Sequence, residues 1–364
     1  MDFIPQIEPW IDHEELEQLK RVVESTYVTE HKLTLEFEDL IKQLTGATYV
    51  VSITNGTAAL YCCLKALGIG EGDEVIVPNL TFIASSNAVI MAGATPVFCE
   101  IETSTLCMDP QQIESLATSR TKAIMPVHLY GQSAQIDKIC QIARKLDLKI
   151  IEDAAQGVGV KFNNKHVGTF GDAGILSFYG NKTLTCGEGG AVLTEDKELR
   201  DKVYRLKNHG RLTKGVFEHD SIGFNFSFTE MQAAIGIAQL NKLERIINKK
   251  ALIREKYVRD LASTSSVLKP LNPLPACSPV WWFTSFLTDY KKELQNHLRE
   301  KNIQTRDFFT PLHKQPCYSY EGVPFGLSQE IYNKGISLPS SYNLNLDQQD
   351  YIISEILAFY DSVS

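Results

Sequence analysis

Short apolar runs alternate with helical patterns between about residues 45 and 195. The runs VIV and KII are β-branched and lack polar alternation, which is typical of strands buried on both faces. We predict strands at 49–53, 74–77, 95–99, 123–127, 149–152, 174–178 and 191–193, with helices between them that include 57–67, 84–91 and 136–146. This alternation predicts an α/β fold in which helices cover both faces of a largely parallel sheet.

A further helix signal comes later in the chain. Thr229 and Gln232 have the spacing of a capping box, which marks a helix N-terminus. Apolar residues near one stripe then predict one long helix that leads out of the sheet domain: Met231, Ile235, Ala238 and Ile246.

The chain has 364 residues, more than one core usually supports, so two domains are expected. We predict an N-terminal segment at 1–20 that packs near the small domain, a large domain at 21–248 and a small α+β domain at 249–364. The small domain contains the aromatic run from Trp281 to Phe283.

Composition and charge exclude several classes of protein. A net charge of -8 argues against a broad basic face for nucleic acid. The acidic N-terminus lacks the apolar core of a secretory signal, and no run of apolar residues is long enough to span a membrane. The cysteines and histidines, including adjacent Cys62 and Cys63, lack metal-ligand spacing, so we predict no metal site and a reducing, cytoplasmic setting.

Gly56 and Thr57 form the first candidate binding element. They follow a predicted strand and open a helix, where backbone N–H groups and the positive end of the helix dipole favour an anion such as phosphate. Gly56 permits close backbone approach and Thr57 can add a hydroxyl. Taken alone, the same pattern also fits an ordinary capped helix.

Asp153 is the second candidate. It ends a buried strand, at the edge where open α/β sheets bind ligands, and strand alternation turns Glu152 to the other side. A carboxylate there could keep a pyridine nitrogen protonated, which makes the ring an electron sink. The alternative is an aspartate that caps the next helix.

Lys182 is the third candidate, five positions after Ser177, which ends another predicted strand. A lysine that forms an imine must lie on a turn facing the ligand, in surroundings that favour its neutral form. Ordinary lysines are far more common, so Lys182 alone carries little weight. The glycines at 68–72 follow a helix, and Lys182 lacks the glycine context of a P-loop, so both segments are predicted turns.

These segments occur together and in order. NGTAALYCCLKALGIGEGDEVIVPNLTF, AGATPVFCEI, TKAIMPVHLYGQ, IIEDAAQGVG, VGTFGDAGILSFYGNKTLTCGEGGAV and GFNFSFTEMQAAIG resemble the DegT/DnrJ/EryC1/StrS family over roughly residues 5–345. The resemblance implies a fold type I aminotransferase with pyridoxal 5'-phosphate, a mostly parallel seven-stranded sheet sandwiched by helices, and a smaller α+β C-terminal domain. SFYGNKTLTCGEGG and PFG…GISLPS look most like the members that aminate C4 of GDP-4-keto-6-deoxymannose.

The resemblance also implies roles for individual residues. Lys182 would form the Schiff base with the cofactor and shuttle protons, and Asp153 would pair with the pyridinium. The other implied cofactor contacts are Gln156 at the ring hydroxyl, Phe82 on the ring face, the phosphate ligands Gly56, Thr57 and Ser177, and Asn225 from the partner subunit of a homodimer with shared active sites. Phe82 could equally be a core residue. Arg306, His313 and Tyr318 match a stretch near the sugar substrate in relatives.

One position departs from the family pattern. Ser227 stands where an arginine usually follows the counterpart of Asn225 by two residues, which leaves the nucleotide preference open. The implied reaction moves the amino group of L-glutamate to C4 of a 4-keto-6-deoxyhexose linked to GDP, UDP or dTDP, for polysaccharides such as O-antigen. Alternatives are amination at C3 and a non-catalytic regulatory role. The related 3-dehydratases carry histidine where Lys182 stands, which argues against that reaction.

Overall fold

The computed structural model describes residues 2–213, 215–318, 322 and 325–363. The helices of the described part are α1 (His13–Ser25), α2 (Lys32–Thr45), α3 (Gly56–Ala66), α4 (Ala84–Met91), α5 (Pro110–Leu116), α6 (Ile136–Leu146), α7 (Lys197–Lys207), α8 (Glu230–Asn241), α9 (Leu243–Asp260), α10 (Lys291–Glu300), α11 (Gly326–Lys334) and α12 (Leu346–Val363). Its strands are β1 (Tyr49–Ile53), β2 (Glu74–Pro78), β3 (Thr95–Cys99), β4 (Thr121–Ile124), β5 (Lys149–Asp153), β6 (Lys161–Phe162), β7 (Lys165–His166), β8 (Ala173–Ser177), β9 (Gly190–Thr194), β10 (Leu268–Pro270), β11 (Cys277–Ser278), β12 (Thr284–Thr288), β13 (Arg306–Asp307) and β14 (Gly335–Leu338). None of these helices combines the length and apolar character needed to cross a membrane.

Seven strands form the central sheet, in the order β1-β9-β8-β5-β4-β2-β3. Strand β9 is antiparallel to both of its neighbours, β1 and β8, while the pairs from β8 to β3 are parallel. The predicted seven-stranded, mostly parallel sheet is therefore confirmed. Because β1, β5 and β8 run in the same direction, their carboxyl ends meet at one edge of the sheet.

Each strand contributes to two apolar cores, one on either face of the sheet. Ile150 packs in the cluster that contains Phe37 of α2, whereas its neighbour Ile151 packs in the cluster that contains Leu64 of α3. This alternation follows from the two-residue period of a strand, and it explains why the strand sequences read as continuous apolar runs. Helices cover both faces, as the α/β pattern predicts.

A second, antiparallel sheet of β10-β12-β14-β13 forms the smaller α+β part. Its core joins Phe286 and Ile336 of the sheet to Tyr257 of α9 and Ile356 of α12. The N-terminal segment reaches this part, since Ile4 bridges to Ile303. The domain boundaries at residues 20 and 248 stay predictions, and they fall within α1 and α9.

The single long helix predicted from residue 230 is wrong. The structure breaks it at Lys242, between α8 and α9, where φ is -107°. The buried ammonium of Lys242 lies 2.7 Å from the Glu15 carboxylate and 4.3 Å from the ring of Trp10. Met231 is 44% exposed and so lies off the buried stripe. The break thus coincides with a tertiary ion pair, which helical periodicity does not reveal.

Glu230 caps a helix that lies far away in the sequence. The first residue before α2, His31, provides no side-chain cap. The buried Glu230 carboxylate instead accepts hydrogen bonds from the backbone N–H groups of His31, Leu33 and Thr34 and from the Thr34 hydroxyl, at 2.7–2.8 Å. Burial alone would raise the pKa of Glu230, but these donors hold it below its ordinary value. The interaction fixes α2 against α8.

We expect Glu230→Gln to lower the free energy of unfolding by about 2 kcal/mol near pH 7, because the amide carries no charge and offers one acceptor fewer to four donors. Folding lowers the pKa of Glu230. The extra stability that its carboxylate gives to the wild-type protein is therefore fully present above the pKa of the unfolded state, and it disappears as pH falls through the pKa of the folded state. Urea unfolding near pH 7 and near pH 3 measures both effects. Glu17→Gln, at an exposed position of α1, is the control. A difference in the free energy of unfolding between wild type and Glu230→Gln that stays constant with pH would contradict this account.

Candidate active site

A cavity of about 620 Å³ opens beside the carboxyl ends of β5 and β8. Seven of the residues predicted to hold the cofactor line this one cavity, although they come from four separate segments: Gly56, Thr57, Phe82, Asp153, Gln156, Ser177 and Lys182. Arg306, predicted to contact the substrate, also lines it. The remaining wall comes partly from the small α+β part through Trp282 and Phe309.

The N-terminus of α3 forms an anion cradle at the cavity wall. Asn55 caps the helix, with its side-chain oxygen accepting a hydrogen bond from the Ala58 N–H at 2.9 Å. A Cβ atom on Gly56 would lie 3.0 Å from the Cβ of Ser177, so glycine lets the helix start approach the end of β8. The first-turn N–H groups, the helix dipole and the Ser177 hydroxyl therefore meet, which suits a phosphate.

Asp153 is buried and held in one orientation. Its Oδ2 accepts a hydrogen bond from the Ser85 hydroxyl at 2.7 Å, and Oδ1 accepts one from the Ala155 N–H at 3.1 Å. The backbone of Asp153 is bonded on both sides, to Pro126 and to His128. The carboxylate is thus fixed at the cavity wall before any ligand arrives, with lone pairs still free to accept a proton donor.

Glu152 serves a structural purpose on the opposite face, as strand alternation predicts. Its carboxylate accepts the N–H groups of Gly168, Phe170 and Gly171 at 2.6–2.8 Å and contacts His128 Nε2 at 2.9 Å. Burial alone would raise the pKa of Glu152, but these partners bring it below its ordinary value. The end of β5, and with it Asp153, is anchored to the turn before β8.

Lys182 lies on a turn after β8, and its ammonium group is 3.9 Å from the centre of the Trp282 ring. The backbone N–H of Lys182 donates to the Tyr179 carbonyl at 2.9 Å. Burial lowers the pKa of Lys182 to about 8, against the attraction of Asp153, which raises it; nearby Arg306 lowers it further. About a tenth of the amine would therefore be neutral and nucleophilic at pH 7, far more than for an ordinary lysine.

Tyr130 connects Gln156 and Phe82, the two other residues predicted to contact the cofactor ring. Its backbone N–H donates to Gln156 Oε1 at 2.7 Å, which leaves the Gln156 amide hydrogens available to a ligand. Its hydroxyl accepts the Phe309 N–H at 3.0 Å, and the Phe309 ring lies 5.6 Å from that of Phe82. Phe82 is 52% exposed, so in this chain it is a cavity wall and not a core residue.

An anion cradle, a fixed carboxylate, a desolvated amine and an exposed aromatic face thus share one cavity. A phosphorylated pyridine aldehyde needs these groups, for its phosphate, its ring nitrogen, its aldehyde carbon and its ring face. In the described part of the chain, no group of His, Cys, Asp or Glu side chains is arranged to hold a metal ion. The donor set fits pyridoxal phosphate.

Residues 9–357 match the model of the DegT/DnrJ/EryC1/StrS aminotransferase family. The chain belongs to this family. Among similar proteins, the GDP-perosamine synthase of Escherichia coli O157:H7 is 39% identical over 99% of both chains. The GDP-perosamine synthase of Vibrio cholerae is 37% identical over 99% of this chain and 100% of its own length.

Solved structures of similar proteins share this fold over most of their length. DesV of S. venezuelae, in complex with a ketimine intermediate, is 32% identical, with a TM-score of 0.93 over 99% of each chain. NtdA of Bacillus subtilis, with its cofactor PMP bound, is 28% identical, with a TM-score of 0.90 over 96% of this chain and 82% of its own. These similarities confirm the predicted aminotransferase fold.

Three predicted site residues do not line the cavity. His313 Nδ1 contacts Asn79 at 2.9 Å, and the Tyr318 hydroxyl lies 2.6 Å from that of Ser86. Asn225 is exposed and bridges to Asn208. The substrate roles of His313 and Tyr318, and the contribution of Asn225 to a partner's site, therefore stay predictions.

Several important residues carry no local signal in the sequence. Ser85 lies 68 positions before Asp153, the carboxylate that it orients. Trp282 lies 101 positions after Asn181, to which it is bonded. The aromatic run that contains Trp282 is visible in the sequence, but nothing in its pattern points to Lys182.

We expect Lys182 of the cofactor-free protein to titrate with a midpoint near pH 8, below that of an ordinary lysine. Asp153→Asn should lower the midpoint further, because the lost carboxylate charge stabilised the ammonium form. The pH dependence of reductive methylation, followed on the Lys182 peptide by mass spectrometry, measures this. Lys20, exposed on α1, serves as the reference for the reagent. The assignment is wrong if Asp153→Asn leaves the midpoint in place or raises it.

Proposed function

We propose that the protein is a pyridoxal-phosphate-dependent aminotransferase that moves the amino group of L-glutamate to C4 of a nucleotide-linked 4-keto-6-deoxyhexose. One observation carries the proposal: the Lys182 amine and the oriented Asp153 carboxylate line the same cavity as an anion-binding helix N-terminus. Family membership and the bound PMP of NtdA support the choice of cofactor.

The cofactor, when bound, supplies an aldehyde that accepts the amino group and a ring that withdraws electrons from the reacting carbon. Asp153 would keep the ring nitrogen protonated, and Ser85 holds the carboxylate in place for this. The N-terminus of α3 and Ser177 would bind the phosphate, while Gln156 would donate a hydrogen bond to the ring hydroxyl. Lys182 would be the residue that holds the cofactor at its aldehyde carbon, and its free Nζ amine would carry the proton that the transfer moves.

The proposed sugar rests on relatives. GDP-perosamine synthases match over nearly the whole chain at 39% and 37% identity, which supports a 4-keto-6-deoxyhexose linked to GDP. The nucleotide is less constrained, because Ser227 replaces a positive charge expected beside Asn225. Arg306 is a cation in the cavity wall, and no ion pair joins it to another described residue. It is therefore our candidate for an anionic group of the donor or the substrate.

We further propose that the protein works as a homodimer with shared sites, in the cytoplasm. Large apolar side chains are exposed on α1, α2, α4 and the segment between α1 and α2. They include Leu16, Val23, Tyr27, Val28, Leu35, Ile90 and Met91. Met91 and Phe82 also line the cavity, so a second copy that covers this apolar surface would reach the cavity mouth.

The protein reconstituted with pyridoxal phosphate should absorb visible light and lose this absorbance when L-glutamate is added, with release of 2-oxoglutarate. Lys182→Ala should reduce turnover by at least about a thousandfold while the far-UV circular dichroism stays unchanged. Lys122→Ala, an exposed position of β4, is the matched control. Full turnover by Lys182→Ala would refute the proposal. Absence of any glutamate half-reaction would favour a non-catalytic regulatory role.

The same protein, preloaded with the amino group, identifies the acceptor. Turnover against GDP-, UDP- and dTDP-4-keto-6-deoxyhexoses and a 3-keto sugar should be highest with the GDP-linked 4-keto sugar. A preference for the 3-keto sugar would support amination at C3 in place of C4. Comparing the three nucleotides tests the nucleotide preference, which the replacement of arginine by Ser227 leaves open.

Shared sites predict complementation between two inactive variants. Lys182→Ala and Asn225→Asp should each be inactive, the second because its added charge repels the phosphate. After co-refolding in equal amounts, heterodimers contain one site with both native residues, so roughly a quarter of wild-type activity should return. No recovery in mixtures that light scattering shows to be dimeric, at twice 40.8 kDa, would place Asn225 in its own subunit's site or in none.

A further inference from the structure

Trp282 touches the candidate catalytic turn in two ways. Its ring centre lies 3.9 Å from Lys182 Nζ, and its indole Nε1–H donates to the Asn181 carbonyl at 2.6 Å. One side chain of the small α+β part thus contacts both the reactive amine and the peptide that precedes it. Burial of an indole by itself requires an acceptor for the N–H but not a cation over the ring.

Lys250 holds the backbone of Trp282. This lysine of α9 is 4% exposed, and its Nζ donates to the carbonyls of Trp282 at 3.0 Å and Ser340 at 3.3 Å. No carboxylate among the described residues pairs with it, and burial lowers its pKa to about 8. Burying an amine without a counter-ion is unfavourable, so the position is explained by the two carbonyls that it joins.

The large domain holds the segment that contains Trp282 by a hydrogen bond to Val280. Gly131, at φ 82°, accepts a hydrogen bond from the Val280 N–H at 3.0 Å. A side chain at position 131 would collide with the Val280 carbonyl and approach the Trp282 backbone N at 2.8 Å. The segment is therefore held at Val280 by Gly131 and at Trp282 by Lys250, which fixes the indole beside Lys182.

We propose that the indole face of Trp282 is the docking place for the ε-ammonium of Lys182 whenever Lys182 is not bonded to the cofactor, and that Lys250 is the positioning residue for Trp282. The proposal rests on the proposed role of Lys182. An amine that leaves the cofactor and carries a proton must stay near the reacting carbon, and an aromatic face attracts the ammonium without forming a bond that has to be broken.

Charged groups also lie around Lys182. Asp153 and Arg306 line the same cavity, the first favouring the ammonium and the second opposing it, and Glu188 lines it as well. Glu8 and Lys250 line a small second cavity on which Lys182 also borders. A test must therefore change the aromatic face and leave these five groups in place.

Trp282→Leu meets this condition, because leucine keeps the wall apolar but has no π face. In the cofactor-free protein we expect the titration midpoint of Lys182 to fall by roughly one pH unit, so that reductive methylation below the midpoint becomes about tenfold faster. Trp282→Phe keeps an aromatic face and loses the bond to Asn181, and should shift the midpoint by less than half as much.

Trp281→Leu is the matched control. Trp281 is the preceding residue, and its ring holds the guanidinium of Arg254 at 3.9 Å, but it does not line the cavity. Its substitution should leave the Lys182 midpoint unchanged. An unchanged or raised midpoint in Trp282→Leu would overturn the proposal, since the indole would then only exclude water. A shift in Trp282→Phe equal to that in Trp282→Leu would assign the effect to the Asn181 bond and overturn the role of the ring face.

Lys250→Met separates positioning from direct charge. If Lys250 acts by holding Trp282, its loss lowers the Lys182 midpoint, and the substitution adds nothing in a Trp282→Leu background. If Lys250 acts through its own positive charge, its loss raises the midpoint in both backgrounds, and the positioning role is refuted. All these readings come from protein without cofactor, so they succeed or fail independently of the glutamate half-reaction.

Discussion

Lys182 and Asp153 share a cavity and attract each other, yet no ion pair joins them. A direct pair would neutralise the amine's reactivity and occupy the carboxylate. The fold prevents this by giving each group another partner: Ser85 and the Ala155 N–H hold the carboxylate, and the Trp282 ring lies beside the amine. Keeping two opposite charges close but unpaired is the constraint on which the candidate site depends.

The sequence predicts the parts of this arrangement that are local. Strand ends and a helix start are each determined by a few adjacent residues, and parallel strands bring their carboxyl ends to one edge, so Asp153 and Gly56 could be placed at that edge beforehand. The turn at Lys182 is also predictable, but its role comes from the family resemblance. The supports of Asp153 and Lys182 could not be placed, because Ser85 and Trp282 act across long stretches of chain that no local pattern connects. The break at Lys242 escaped prediction in a similar way, since the ion-pair partner of Lys242, Glu15, lies in α1.

Function follows a similar division. Residue chemistry alone is compatible with an anion, a pyridine nitrogen and an imine-forming amine, but each pattern also fits an ordinary structural role. The family resemblance selects between these readings, and the kind of acceptor comes from the similarity to aminotransferases that act on sugars. In this structure His313 and Tyr318 form hydrogen bonds to the large domain and do not line the cavity. Their substrate roles therefore stay predictions that come from the family resemblance.

The position of β1 affects how this chain can be assembled. β1 pairs with β9 alone, Tyr49 opposite Thr194, at the edge of the central sheet. On the ribosome, the first strand therefore waits for well over a hundred further residues before its only neighbour exists. Until then β1 can pack its side chains on α2 and α3, but its backbone groups lack their strand partner, so the closing of the sheet at this edge depends on a long-range contact. The first strand to be synthesised is among the last to be paired.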